Sequence, residues 1–134
     1  MFTYEKIDSS SIEEVKRIYK KEDWIAYLTD DAKLIRAFDN SLYTLGAFDN
    51  DKLIGFIRCV GDGEHMLLVQ DLIVDPDYQQ QGIGTYLFKT IMKKYEDIRS
   101  FIVITDIEDK VDNKFYQSFN FKKIADKHMV CYIR

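Results

Sequence analysis

The chain of 134 residues contains one proline and two cysteines, Cys59 and Cys131. A single proline leaves no Pro-rich linker, and no Ser/Gly-rich stretch or charge block takes its place. The cysteines lie far apart, each inside an apolar run. With no CxxC pair and no His/Cys cluster, neither a structural zinc site nor any other metal is expected. The two read as reduced core thiols rather than a disulfide. No apolar run approaches the ~20 residues of a membrane span, so no membrane partner is expected. The opening residues, Met1 to Lys6, lack the features of a signal peptide, and a soluble, cytoplasmic protein is expected. Basic charge is not in excess either: the formal net charge is −4. Acidic and basic residues are interspersed, which argues against nucleic acid as a partner.

What the chain does have is apolar and aromatic mass. Hydrophobic residues make up 46% and aromatics 14%, with nine Tyr and nine Phe. That suffices for a core, and the length fits a single domain over 1–134. Residues 2–7 read as a strand. Ser10 with Glu13, or Ser11 with Glu14, forms a capping box for a helix over 10–21. A second helix is expected from about Asp31 to Phe38, with Asn40 as a left-handed stop. Strands follow at 42–48 and 52–60, joined by the hairpin signal Asp49-Asn50-Asp51. His65–Val74 is a longer, mostly apolar strand suited to a sheet centre. A third helix opens at Gly82 and Gly84 and runs to about Tyr95, with Ile83, Leu87 and Ile91 on one stripe. Phe101–Thr105 reads as a buried strand. Val111, Phe115 and Phe119 mark a fourth helix, and 120–124 and 129–133 close the chain as strands. This is a mixed α/β domain with a partly antiparallel sheet.

The chemistry is concentrated in Leu72–Thr85: an apolar strand, a tight turn, a polar loop, two glycines and an amphipathic helix. The first turn of a helix presents unpaired N–H groups and the positive end of the dipole. Glycines let an anion approach that backbone closely. The segment therefore suits a pyrophosphate, although a glycine-bearing helix start can also serve packing alone. A Rossmann site fails for want of a third glycine, and a P-loop for want of Gly-Lys-Ser/Thr.

Gln79-Gln80-Gln81-Gly82-Ile83-Gly84 resembles the Gln/Arg-x-x-Gly-x-Gly/Ala signature of the GNAT superfamily of N-acetyltransferases. Ile73 to Tyr78 is similar to that family's strand end and turn, and Phe115-Tyr116 with Phe119-Asn120-Phe121 to its Phe-Tyr-x-x-x-Gly-Phe. The small bacterial and plastid arylalkylamine-type members are nearest. The resemblance implies a central, mostly antiparallel sheet of six or seven strands. It also implies a splayed V between the fourth and fifth strands, and about four flanking helices. Acetyl-CoA is the implied co-substrate. Backbone groups of Leu72, Ile73 and Val74 would pair with its pantetheine arm. The amides of Gln80, Gln81, Gly82, Ile83, Gly84 and Thr85 would hold the pyrophosphate, and Gln79 would brace the loop. Tyr116 would protonate the leaving thiolate, a role that suits a phenol. Two positions depart from the pattern: Asn120 replaces a glycine, and Asp109 replaces an asparagine that contacts the cofactor.

Asp71 is the candidate base. A carboxylate inside an apolar strand is costly unless paired or used, and an aspartate stands there in the plastid and cyanobacterial branch. Glu64, Asp62 and Asp106 are alternatives through water, and His65 by residue type. Trp24, Tyr27 and Tyr43 either line an acceptor pocket or fill the core. Arg58, midway along an apolar strand, reads as paired or outward-facing rather than as a substrate ligand. The expected activity is direct acetyl transfer to a primary amine, small amines being preferred. A protein or peptide acceptor and a non-catalytic acyl-CoA sensor remain alternatives. A homodimer is compatible with the resemblance, but no residue demands one.

Overall fold

Strands rich in Ile, Val, Leu and Phe build the sheet in chain order. The computed structural model describes residues 1–134. Five strands, β1 (Phe2–Lys6), β2 (Tyr43–Asp49), β3 (Lys52–Gly61), β4 (Met66–Val74) and β5 (Ser100–Val103), pair in the order β1-β2-β3-β4-β5. The first four are antiparallel, and β5 runs parallel to β4. The helices are α1 (Ile12–Lys21), α2 (Asp31–Asp39), α3 (Ile83–Lys94) and α4 (Lys110–Ser118). The chain divides into two compact units. Met1–Val103 holds the sheet and α1 to α3, and Ile104–Arg134 holds α4 and a 3-10 turn at Ile124–Lys127.

The mixed α/β class with a mostly antiparallel sheet and four helices is as the sequence implies, but the strand count is five rather than six or seven. Residues 120–124 and 129–133 are not strands. Asn120 and His128 take left-handed conformations, with φ of 66° and 59°. The amides of Asp126, His128 and Met129 are spent on the carbonyls of Lys123, Ala125 and Ile124, closing a local turn where a strand would need them for a ladder. Cys131 is accordingly exposed rather than in the core. Two helix ends also differ. Asp8 caps a 3-10 turn at Ser9–Ser11 ahead of α1, its carboxylate accepting from the Ser10 amide at 2.8 Å, while Ser11 stands at the N-cap position of α1 but makes no side-chain cap bond. Glu14 is drawn to Arg17 instead of back to the cap. Asn40 ends α2 with φ −98°, its side-chain amide donating to the Arg36 carbonyl.

On one side of the sheet, Ile7, Val15, Ile18, Tyr19, Leu34, Phe38, Leu53, Phe56 and Ile73 form one cluster under α1 and α2. Helix α3 buries Ile83, Leu87, Phe88 and Ile91 against β2, β3 and β4. A β-bulge links the two faces. Arg58 pairs with Asp71, whereas its neighbour Cys59 pairs with Val69, so Gln70 is an extra residue in β4. Directly paired side chains share a face. Asp71 therefore lies with Arg58 over α1 and α2, and Val69 with Cys59 on the opposite side. A strict two-residue alternation would have put Val69 and Asp71 together. The bulge sits where β4 and β5 part. Their last pair is Val69 with Val103, and Gln70–Val74 have no strand on that edge. This is the V that the resemblance implies.

Candidate active site

Strand β4 leads through a 3-10 turn at Pro76–Tyr78 into the glycine loop. Gly82 is the N-cap of α3 in the left-handed region, at φ 81°, and Gln80 is left-handed too, at φ 62°. A Cβ built at Gly82 would meet nothing within 4 Å. The surface above this amide is therefore open. The first backbone bond of the helix is donated by Tyr86 to the Gly82 carbonyl at 3.0 Å, so the amides of Gln80 to Thr85 make no backbone hydrogen bond. Left-handed turns and a helix start thus turn a short run of N–H groups outward at the positive end of a dipole. That donor set fits a diphosphate. A Cβ built at Gly84 would lie 3.8 Å from the Val74 side chain.

The loop is held from below. The side-chain amide of Gln79 donates to the Val74 carbonyl at 3.1 Å and to Glu22 at 3.0 Å. Asp75, with no exposed surface, accepts from Arg17 Nη1 at 3.0 Å and Lys21 Nζ at 2.9 Å, both on α1, and from the Asp77 amide at 3.0 Å. Its own amide donates to the Ile54 carbonyl. Burial pushes the Asp75 carboxyl up, but the Asp77 amide, Lys21 and Arg17 outweigh it and hold the group at about 2.

Asp71 is 1% exposed and fully engaged. Its Oδ2 accepts from Arg58 Nε at 2.6 Å and Tyr19 Oη at 2.7 Å, and its Oδ1 accepts from Tyr27 Oη at 2.8 Å. Arg58 also donates to Ser41 Oγ and lies over the Phe38 and Tyr27 rings. Tyr27 stacks on Tyr19 at 4.5 Å between ring centroids, and Trp24 on Tyr19 at 5.9 Å. The Tyr27 oxygen in turn accepts from the exposed Gln70 amide at 3.1 Å. Burial, then Asp71, raises the Tyr27 phenol above its ordinary value, and the same causes raise Tyr19 much further.

The structure brings Trp24 and Tyr27 together but not Tyr43. Tyr43 pairs with Cys59 across β2 and β3, and its ring lies between Lys6 and Lys94. Lys94 belongs to α3, so Tyr43 faces away from the Tyr27 cluster. Leu72, Ile73 and Val74 occupy the edge of β4 that no strand covers. In the second unit, Asp109 caps α4, its carboxylate accepting from the Asp112 amide at 2.9 Å. Tyr116 stands edge-on to Phe115 at 5.2 Å, and burial, with Asp112 and Asp109, raises its phenol. Among the alternative acids, Asp62 accepts from the amides of Met66, Glu64 and His65, which hold its carboxyl at about 2. Asp106 accepts from the Glu108 amide. His65 is exposed. Burial pushes the Cys59 thiol up to about 12, which leaves it a poor nucleophile. No group of His, Cys, Asp and Glu is placed to hold a metal, and no helix is long and apolar enough to cross a membrane.

Sequence reasoning missed Tyr19, Gln70, Arg17 and Lys21 as parts of this site. Tyr19 sits on the buried stripe of α1 and looks like core, and its hydroxyl partner is 52 positions away. Arg17 and Lys21 carried no specific signal, since α1 holds Lys16 and Lys20 at the same i, i+4 spacing.

The Acetyltransferase (GNAT) family model matches residues 9–121, and the chain belongs to that family. It superposes on a GNAT-family acetyltransferase from Streptococcus pneumoniae TIGR4 with a TM-score of 0.87 and 33% identity, covering 100% of this chain and 97% of that one. The PaiA N-acetyltransferase from Thermoplasma acidophilum, solved in complex with coenzyme A, shares the fold at a TM-score of 0.74 and 22% identity, over 91% and 90% of the two chains. An uncharacterized N-acetyltransferase of Gracilaria tenuistipitata var. liui is 31% identical over 117 residues, 83% of this chain and 62% of its own length. The chain spans only 62% and 54% of the two curated relatives it matches.

Proposed function

We propose that the chain binds acetyl-CoA at Gln79–Thr85 and transfers the acetyl group to a primary amine, small amines being preferred. The observation that carries this is the row of outward amides over the open face of Gly82, beside the uncovered edge of β4. Bound acetyl-CoA would supply an activated acyl group. The amides of Gln80 to Thr85 bind the diphosphate, and Gln79 keeps the loop against the end of β4. The uncovered backbone of Leu72 to Val74 pairs with the pantetheine arm.

Family resemblance gives Tyr116 the acid role, for which its phenol carries a proton to give at neutral pH. The new N–C bond forms as the C–S bond breaks. The departing sulfur takes the Tyr116 proton, the amine nitrogen yields its own to solvent, and Tyr116 regains a proton from solvent. Direct transfer is favoured over an acyl-cysteine, since Cys59 is buried and its thiol is pushed up to about 12. Asp71, engaged by three donors including a guanidinium, suits the positioning of Tyr27 better than the removal of a proton. Asp109 serves α4 as its cap. Tyr43, on the other face, drops out of the acceptor side, while Trp24 and Tyr27 stay in it.

A panel of small amines, lysine peptides and peptide N-termini, offered with acetyl-CoA and followed by thiol release, tests this reading. Release with a small amine is the expected result, and release only with peptides would move the acceptor class. Retained CoA binding with no release from any amine would leave an acyl-CoA sensor.

A further inference from the structure

A phenol has one proton to give. At Tyr27 that proton is committed: the hydroxyl donates to Asp71 Oδ1 at 2.8 Å, and Asp71 is fixed by Arg58 Nε at 2.6 Å and Tyr19 Oη at 2.7 Å. The Tyr27 oxygen can then only accept in any other direction. In this structure its acceptor direction is filled by the side-chain amide of Gln70, an exposed residue, at 3.1 Å. Gln70 is the bulge residue at the point where β4 leaves β5, directly before the uncovered edge at Leu72 to Val74.

We propose that Asp71 locks the Tyr27 hydroxyl as an acceptor, and that this oxygen seats the amine nitrogen of the acetyl acceptor, which displaces the Gln70 amide. The inference rests on the acetyltransferase reading and names the chemistry that selects the acceptor: an N–H donor, neutral or cationic, on a primary amine. The Gln70 amide fills the oxygen of the free protein as a donor of matching polarity. The Tyr27 ring is braced by stacking on Tyr19 and by the Arg58 guanidinium 5.8 Å from its centroid, so the oxygen stays fixed when the amide leaves. Asp71 is in this scheme a positioning residue, since it reaches the amine only through Tyr27. A group offering only acceptors, such as an ether or a carboxylate, is turned away.

The test uses the full chain with CoA bound and the amine that gives the fastest thiol release, or, if none turns over, the amines of the panel titrated by calorimetry. Tyr27→Phe keeps the ring stack and removes the oxygen, so the amine KM or Kd should rise about tenfold or more while CoA affinity holds. Gln70→Ala removes the competing donor, so it should lower the amine KM or Kd, a direction that loss of a merely structural contact would not give. Asp71→Asn turns a donor toward Tyr27 and frees the phenol proton outward, so it should weaken the amine as much as Tyr27→Phe. Should Asp71→Asn fail to fold, the other two variants decide the matter. Amine affinity unchanged in Tyr27→Phe, or unchanged or weakened in Gln70→Ala, overturns the proposal. A parent protein that does not bind CoA at all overturns the acetyltransferase reading instead.

Discussion

At Tyr116 the proposed acid role hangs on one hydroxyl. Phenylalanine there preserves the ring and its edge-on contact with Phe115, so the fold should be spared. Tyr116→Phe is expected to lower kcat about a hundredfold, the range of a lost general acid, with CoA affinity within about twofold. Thiol-release kinetics and a CoA titration check it, and an unaltered kcat removes Tyr116 from the reaction. This residue stands out in the sequence because the Phe-Tyr motif that carries the family resemblance is local. Asp71 was legible only as an anomaly. A carboxylate in an apolar strand must be paired or used, but its partners stand 13, 44 and 52 positions away, and no local pattern reveals them.

Between elements, the contact that matters most is the clasp of α1 on the turn after β4. Asp75 is buried under Arg17 and Lys21, and its carboxyl is held at about 2, below the ordinary value. A group with a depressed folded value stabilises the fold at pH above the unfolded value. That contribution fades as pH falls from about 4 toward 2. It should amount to roughly 2 kcal/mol. Asp75→Asn should lower the melting temperature at neutral pH and flatten its fall between about pH 4 and 2. Melting curves across that range decide the point, and equal acid sensitivity in both proteins would show that the clasp is not the source. The variant should also bind CoA less tightly, because the clasp and Gln79 hold the same loop. Among the elements themselves, β2, β3, β4 and α3 lay within a residue or two of where periodicity put them. Their ends are marked by Asp49-Asn50-Asp51, Asp75-Pro76 and Gly82. The last two expected strands failed because alternation describes a strand's faces, not its partner. The left-handed turns at Asn120 and His128 closed the chain on itself first.

Across the whole molecule, ligand binding should register as stability. The family match runs over residues 9–121 and so includes most of both compact units. Acetyl-CoA at a hundredfold over its dissociation constant should add about 2.7 kcal/mol. Gly82→Glu should abolish that gain, since it sets bulk and negative charge on the open face of the loop. The ligand-free protein should lose only about 1–2 kcal/mol from backbone strain at φ 81°. Thermal shift assays on both proteins, with and without acetyl-CoA, measure this. A full ligand-induced shift in Gly82→Glu would place the diphosphate elsewhere.

Gln70 sets regularity in β4 against the proposed activity. Because Val69 already faces Cys59 and Asp71 already faces Arg58, excising the residue between them would mend the ladder without moving a single buried side chain to the wrong face. The shortened strand would be straighter, would follow its parallel neighbour further, and would narrow the wedge proposed for the acyl donor. On that reading, a better sheet made this way would be a worse catalyst.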